Sequence, residues 1–400
     1  MSRLATPPLS LYMHFPWCVS KCPYCDFNSY TLHGELVEDR YVEALERDIE
    51  SQAAEVAGRE IVSVFLGGGT PSLFPPRAIA RVLEATRRYL TVAADVEVTM
   101  EANPGTLERG RFAEYRAAGV NRVALGAQSF NAQRLKALGR IHSPDDTRRA
   151  AEELHTAGLE NFNLDLMYAL PGQDVTEALR DVEAALALAP THLSHYQLTL
   201  EAGTVFAAYP PDLPSDDIAA ETLAVCGERL GAAGFAQYEV SAYAQPNRQC
   251  RHNLNYWTFG DYLGVGAGAH GKLTFPASSS IVRTVQAREP RRYLATAPAA
   301  LSRKNVATSE LPFEFMLNAL RLVGGFEIRT FLERTGLDWQ EIAPQVNTLV
   351  ARELLVVQGA RLLPTALGLR FLNDLLLSFL APRPPETPQT TGAFGLSTAE

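Results

Sequence analysis

From residue 11 to about residue 235, short runs of β-branched and aromatic residues alternate with longer stretches whose apolar positions recur every three or four residues. That alternation is the pattern of repeated βα units around a parallel sheet. It predicts strands at residues 11–15, 61–66, 96–101, 122–126, 162–167 and 192–200, with helices at residues 77–90, 107–118, 145–157 and 174–189. Pro75 and Pro76 suit a helix start, and Gly119 and Gly158 fall where helices should end. Beyond residue 235 the rhythm changes. Residues 236–305 read as further strands and glycine-rich loops that extend the sheet, whereas residues 306–380 return to helical patterning, with two short strands around a glycine at 353–364. Helices followed by such a strand pair resemble a winged-helix module. The final segment, 381–400, is rich in Pro, Thr and Gly and is predicted to be disordered.

The expected fold class is therefore α/β: an incomplete (β/α)6 parallel barrel over residues 1–235, then the sheet extension and a smaller C-terminal helical domain. In parallel barrels the chemistry sits at the carboxyl ends of the strands. The polar residues fall there. Gly67 to Thr70 follow the second strand, Glu101 and Asn103 end the third, Gln128 ends the fourth, Asp165 lies late in the fifth and Gln197 late in the sixth. All of these residues are expected to face one rim.

Composition narrows the function classes. With 400 residues and 46% hydrophobic content, the chain can bury a barrel-sized core plus an appendage. The net charge of -9 comes from scattered acidic residues, so no electrostatic footprint for nucleic acid is present. Residues 1–10 lack the basic and apolar regions of a signal peptide, and no apolar run approaches the roughly 20 residues that span a bilayer, so a cytoplasmic protein with no transmembrane segment is expected. Only five cysteines occur and three of them crowd into residues 18–25, which suits a metal site better than a disulfide framework.

Those three, Cys18, Cys22 and Cys25, form CxxxCxxC on the loop leaving the first strand. Three thiolates can hold three irons of a 4Fe-4S cubane and leave the fourth iron open, as an open zinc site keeps a free position. S-adenosylmethionine can chelate there through its amino and carboxylate groups. On the residues alone, a Cys3His zinc site recruiting His14 or His33, or unliganded thiols, stays possible.

The chain resembles the radical S-adenosylmethionine superfamily, whose motif is CxxxCxxC with an aromatic before the last cysteine, here Tyr24. It resembles in particular the branch that holds oxygen-independent coproporphyrinogen III dehydrogenase and the HemW-type heme chaperones. The matching segments are YMHFPWCVSKCPYCDFNS (12–29), LGGGTPSLF (66–74), EANPG (101–105), GAQSF (126–130), LGRIH (138–142) and NFNLDLMYALPGQ (161–173). The resemblance implies a barrel of radical SAM type and a HemN-like C-terminal domain. It also implies a SAM pocket in which Gly67, Gly68, Gly69 and Thr70 meet the methionine end, with Tyr12, Glu101, Gln128, Arg140 and Asp165 as further pocket residues. Taken singly, a GGGT loop is also an ordinary strand-to-helix turn, and a carboxylate ending a strand often only caps a helix.

Two functions remain within that branch. The dehydrogenase pattern continues with a cysteine two positions after the third ligand, where this chain has Asp26 and Phe27, and the first strand begins too early for the dehydrogenase's N-terminal extension. The segment CRHNLNYW (250–257) contains HNxxYW, which marks the HemW-type chaperones. The resemblance makes His252 the candidate heme-iron ligand, with Tyr256 and Trp257 packing on the porphyrin and His270 a weaker second ligand. Composition alone reads these residues as a structural histidine and a core aromatic pair, and Cys250 and Cys226 as buried thiols. The expectation is a heme chaperone carrying a 4Fe-4S cluster and S-adenosylmethionine. Its partners are then heme, an acceptor protein of the respiratory or heme-storage type, and an electron donor such as flavodoxin or reduced nicotinamide. The enzyme that decarboxylates coproporphyrinogen III is the rival reading.

Overall fold

A computed structural model describes residues 4–105 and 110–380 of the chain. The six predicted strands are present as β1 (Leu9–Phe15), β2 (Glu60–Gly68), β3 (Thr91–Ala102), β4 (Arg122–Gln128), β5 (Phe162–Tyr168) and β6 (His192–Gln197). Each is parallel to the next, so all six carboxyl ends reach one side. The connecting helices α1 (Glu38–Ala53), α2 (Pro76–Tyr89), α3 (Phe112–Ala118), α4 (Pro144–Thr156) and α5 (Val175–Leu186) cover the outer face. Their starts follow local chemistry: Ser143 and Asp174 close capping boxes with Asp146 and Glu177 at α4 and α5. The helix predicted from 107 is described from Phe112 onward; its first residues, and the tail expected at 381–400, lie outside the described residues.

The later segments widen the sheet at both edges. After α6 (Asp216–Ala232), the hairpin β7 (Ala236–Glu239) and β8 (Ala242–Ala244) pairs antiparallel with β6. At the other edge β9 (Asp261–Val265) lies parallel beside β1, and β10 (His270–Phe275), β11 (Ser280–Val285) and β12 (Ser302–Asn305) continue outward antiparallel. The result is one 12-stranded sheet in the order β12-β11-β10-β9-β1-β2-β3-β4-β5-β6-β8-β7. A buried ion pair pins β9: Asp261 takes Lys272 Nζ at 2.8 Å and Arg59 Nη1 at 2.9 Å.

One segment departs from the strand-and-loop expectation. Arg251–Trp257, which carries HNxxYW, is a helix, α7. Its seven residues are too few to show a helical period, and its cap is not local. Glu97 Oε1 on β3 instead accepts hydrogen bonds from the first-turn backbone N–H groups of Arg251 (2.9 Å) and His252 (3.3 Å). C-terminal to the sheet, helices Leu311–Ala319, Ile328–Thr335 and Ala343–Ala351 pack around Phe315 and Phe331, and the strands Leu355–Gln358 and Arg361–Pro364 form the expected hairpin.

Candidate functional site

The loop after β1 is held to the glycine run after β2 by its backbone. Trp17–Cys18 pairs with Tyr30–Thr31, while Gly69 N donates to Phe15 O (2.7 Å) and Thr70 N to Trp17 O (2.8 Å). These bonds place Cys18, Cys22 and Cys25, all half-buried, around a cavity of about 260 Å3 at the carboxyl ends of the strands. Cys18 Sγ receives the Thr70 hydroxyl at 3.5 Å, Cys22 Sγ faces Arg140 Nη1 at 3.7 Å, and Cys25 Sγ lies 3.8 Å from Ser29 Oγ. Burial pushes the Cys18 thiol up, opposed by the Thr70 hydroxyl.

Among the described residues no three His, Cys, Asp or Glu side chains converge closely enough to hold one ion. The three thiols all line the one cavity, as ligands to separate irons of a cubane would. His14, offered as a fourth zinc ligand, has both ring nitrogens engaged, with Tyr12 OH (3.1 Å) and Asn28 O (2.9 Å).

The glycine run does more than let a ligand approach. Gly68 has φ +112°, and a Cβ there would stand 2.3 Å from the His14 ring; one on Gly69 would stand 2.7 Å from Trp17 O. These glycines let β2 close against the cysteine loop. Gly68→Ala is accordingly expected to lower stability by about 2 kcal/mol, read as an earlier midpoint in urea; an unchanged midpoint would contradict this packing.

The pocket walls are joined by polar contacts. Arg140 Nη2 donates to Asn103 Oδ1 (2.5 Å) and Gly126 O (2.9 Å), and Asn103 Nδ2 donates to Thr70 Oγ1 (2.9 Å). The line Arg140–Asn103–Thr70–Cys18 thus crosses the cavity and puts a buried cation beside the thiols, where it favours a negatively charged group. Gln128, held at φ +65°, takes the Tyr196 hydroxyl at 2.8 Å. Glu101 Oε2 accepts from Gly68 N at 3.0 Å, and burial followed by the nearby Asp165 carboxylate pushes its pKa to about 7. Asp165 is raised by burial too, against a hydrogen bond from Asn163.

A carboxyl raised in the folded state contributes stability below its unfolded pKa and loses it as pH rises through the folded value. Between roughly pH 4.5 and 7, Glu101 should therefore lower the unfolding free energy by up to about 1.4 kcal/mol per pH unit. Urea titrations of Glu101→Gln should show a slope more positive by that amount, and parallel curves would refute a raised Glu101 carboxyl.

Of the predicted residues, Tyr24, Gly68, Gly69, Thr70, Glu101, Gln128, Arg140 and Asp165 line the cysteine cavity. Gln197 does not: it is exposed, and its neighbour Tyr196 turns inward instead. Tyr12 lines a second, larger cavity of about 780 Å3 that shares Gly68, Glu101 and Asp165 with the first. His252, Tyr256, Trp257 and His270 line this cavity as well. His252 is buried among Phe65 (ring centroids 5.0 Å apart) and Tyr12 (6.3 Å). Its Nδ1 meets Ser63 Oγ at 3.2 Å, Ser63 meets Ser10 (2.7 Å), and Asn255 Nδ2 donates to Ser10 Oγ (2.9 Å). Burial, then Arg122, depresses His252 to about pKa 3, so the ring is neutral and its Nε2 has no hydrogen-bond partner among the described residues. Asn103, Tyr196, Ser63 and Ser10 were not singled out as site residues from the sequence; only Asn103, ending a predicted strand, carried a signal.

Comparison with known proteins gives the family and the fold. The model for the radical SAM superfamily matches residues 12–185, and that for the HemN C-terminal domain matches residues 307–371. The heme chaperone HemW of Escherichia coli is 49% identical over 380 residues, covering 94% of this chain and 99% of its own length. HemW of Haemophilus influenzae is 43% identical, covering 94% and 98%. In fold, the solved structure of coproporphyrinogen III oxidase (HemN) from Escherichia coli superposes with a TM-score of 0.79 at 22% identity, covering 94% of this chain and 91% of that one.

Proposed function

This chain belongs to the radical SAM superfamily and, within it, to the HemW-type family, and from that membership we propose that it is a heme chaperone that binds heme in the larger cavity and delivers it to an acceptor protein. The observation that carries the reading is that His252, Tyr256 and Trp257 of HNxxYW line one cavity of about 780 Å3, within the roughly 300–1,000 Å3 usual for ligand sites. His252 offers a neutral imidazole, the form that coordinates iron, and the Ser63–Ser10–Asn255 chain orients it through the other nitrogen. Tyr12, Phe65 and Tyr262 supply aromatic walls for a flat apolar ligand.

Cys18, Cys22 and Cys25 would hold a 4Fe-4S cluster, and Gly68, Gly69, Thr70, Glu101, Gln128, Arg140 and Asp165 would surround S-adenosylmethionine. A cluster so bound supplies one-electron chemistry and an open iron for the methionine end. Arg140 offsets negative charge at the thiolates, and Glu101 can accept hydrogen bonds once ionised. The electron donor is of the flavodoxin or reduced-nicotinamide type. No helix among the described residues is long and apolar enough to cross a membrane, and the reading keeps the protein in the cytoplasm.

The test is an anaerobic heme titration of the reconstituted protein, followed in the Soret band, alongside an assay for coproporphyrinogen III conversion with reductant and S-adenosylmethionine. Saturable heme binding without conversion is expected. Efficient formation of protoporphyrinogen IX would establish the dehydrogenase instead.

A further inference from the structure

Arg122, the first residue of β4, is among the largest fully buried side chains, only 2% exposed, and it lines the larger cavity from the amino end of its strand. No described residue takes a hydrogen bond or ion pair from its guanidinium, and its Nε is buried without a partner. The surrounding acceptors are spent on one another. Glu97 Oε1 caps α7; Tyr238 OH takes the Cys250 N–H and meets His192 Nε2 at 2.8 Å; His192 Nδ1 meets Asn163 Oδ1 at 2.7 Å; and Asn163 Nδ2 donates to Asp165. His192 is neutral, since burial and then Arg122 itself hold its pKa well below the ordinary value.

Burial works against the Arg122 charge, and Cys250, Glu97, Tyr238 and Asp165 sustain it through space, yet none of them takes a hydrogen bond from it. Buried guanidinium donors left unfilled are costly, and a ligand that fills them removes that cost. We propose that Arg122 receives a carboxylate of the ligand in the larger cavity. Resting on the heme reading above, this assigns it a heme propionate. The planar guanidinium fork matches a carboxylate with two parallel hydrogen bonds. Its position at the floor, on the same cavity wall system as His252, lets one rigid macrocycle present iron to the imidazole and a propionate to the arginine. Among the described residues, two arginines line this cavity, Arg122 and Arg288. The other lining arginine, Arg288, is exposed at the rim and already bonds Asn28 Oδ1 at 3.3 Å.

The experiment compares heme with its dimethyl ester, which keeps the macrocycle and iron but removes both carboxylates, on reconstituted wild-type protein and on Arg122→Met, Arg122→Lys and Arg288→Gln. Wild type should bind heme about tenfold or more tighter than the ester. Arg122→Met should bring heme down to the ester's affinity without moving the ester, Arg122→Lys should restore part of the preference, and Arg288→Gln should keep it. Equal affinities in wild type, a preference that survives in Arg122→Met, or one lost in Arg288→Gln instead, would each overturn the assignment, as would loss of S-adenosylmethionine binding in Arg122→Met with the heme preference intact. If Arg122→Met does not fold, wild type and Arg288→Gln still decide: a preference absent from wild type or lost in Arg288→Gln overturns the assignment, and one kept in both supports it. Binding of neither porphyrin to wild type would sink the heme reading, and this assignment with it; binding of both without preference sinks the assignment alone.

Discussion

Replacing Cys22 with alanine abolishes the iron–sulfur absorbance of the reconstituted protein and, with it, measurable binding of S-adenosylmethionine. The expectation follows from counting ligands: three thiols serve three irons, and among the described residues no spare cysteine lies at the cavity, because Cys226 and Cys250 are buried elsewhere. Cys22 is half-buried and its sulfur touches Arg140 Nη1 at 3.7 Å, so truncation removes little packing and the fold should survive. Circular dichroism of the variant should match wild type while the visible band near the cluster absorption disappears and bound iron falls. Retention of full cluster absorbance would disprove the assignment of the cysteine cavity.

Replacing His252 with alanine lowers heme affinity by about a hundredfold, the scale at which loss of a coordinating or orienting group is felt, and leaves the cluster spectrum intact. The separation is possible because His252 sits on α7 and lines the larger cavity, not the one lined by the thiols, with Ser63 as its hydrogen-bond partner. The two cavities share a wall but not these ligands. Ser63→Ala should weaken heme binding by a smaller factor, since it disturbs the ring's tautomer rather than the ligand. Unchanged affinity in His252→Ala would move the iron ligand to another residue, with His270 the next on the same cavity.

The legible part of the sequence was the part written in local patterns. Alternating apolar runs separated by period-3.6 segments marked β1 to β6, and the motif spacing marked the cysteine loop, because both signals lie within a dozen residues. The helix α7 escaped because its cap comes from Glu97, some 150 positions earlier. The sequence puts Gln197 on the rim although Tyr196 faces inward: one residue along a strand reverses the face, and β6 ends at Gln197 and not at residue 200. The same distance problem hid the larger cavity. Its walls come from β1 to β6, from α7 and from β9 to β11, segments spread over more than 250 positions of the chain, with β9 returning to lie beside β1. Arg122, read in sequence only as the first residue of a strand, became informative once its lack of a partner could be seen.

The most direct test of the central claim is transfer itself. Heme-loaded protein, separated from free heme, is mixed with an excess of an apo heme protein, and the acceptor's Soret band is followed with the cluster intact. The account predicts that heme leaves this chain for the acceptor faster than it dissociates into buffer, with no change in the porphyrin by mass, and that His252→Ala cannot be loaded to begin the reaction. Heme that stays bound, or leaves only at its dissociation rate, or a coproporphyrinogen substrate that emerges decarboxylated, would contradict it.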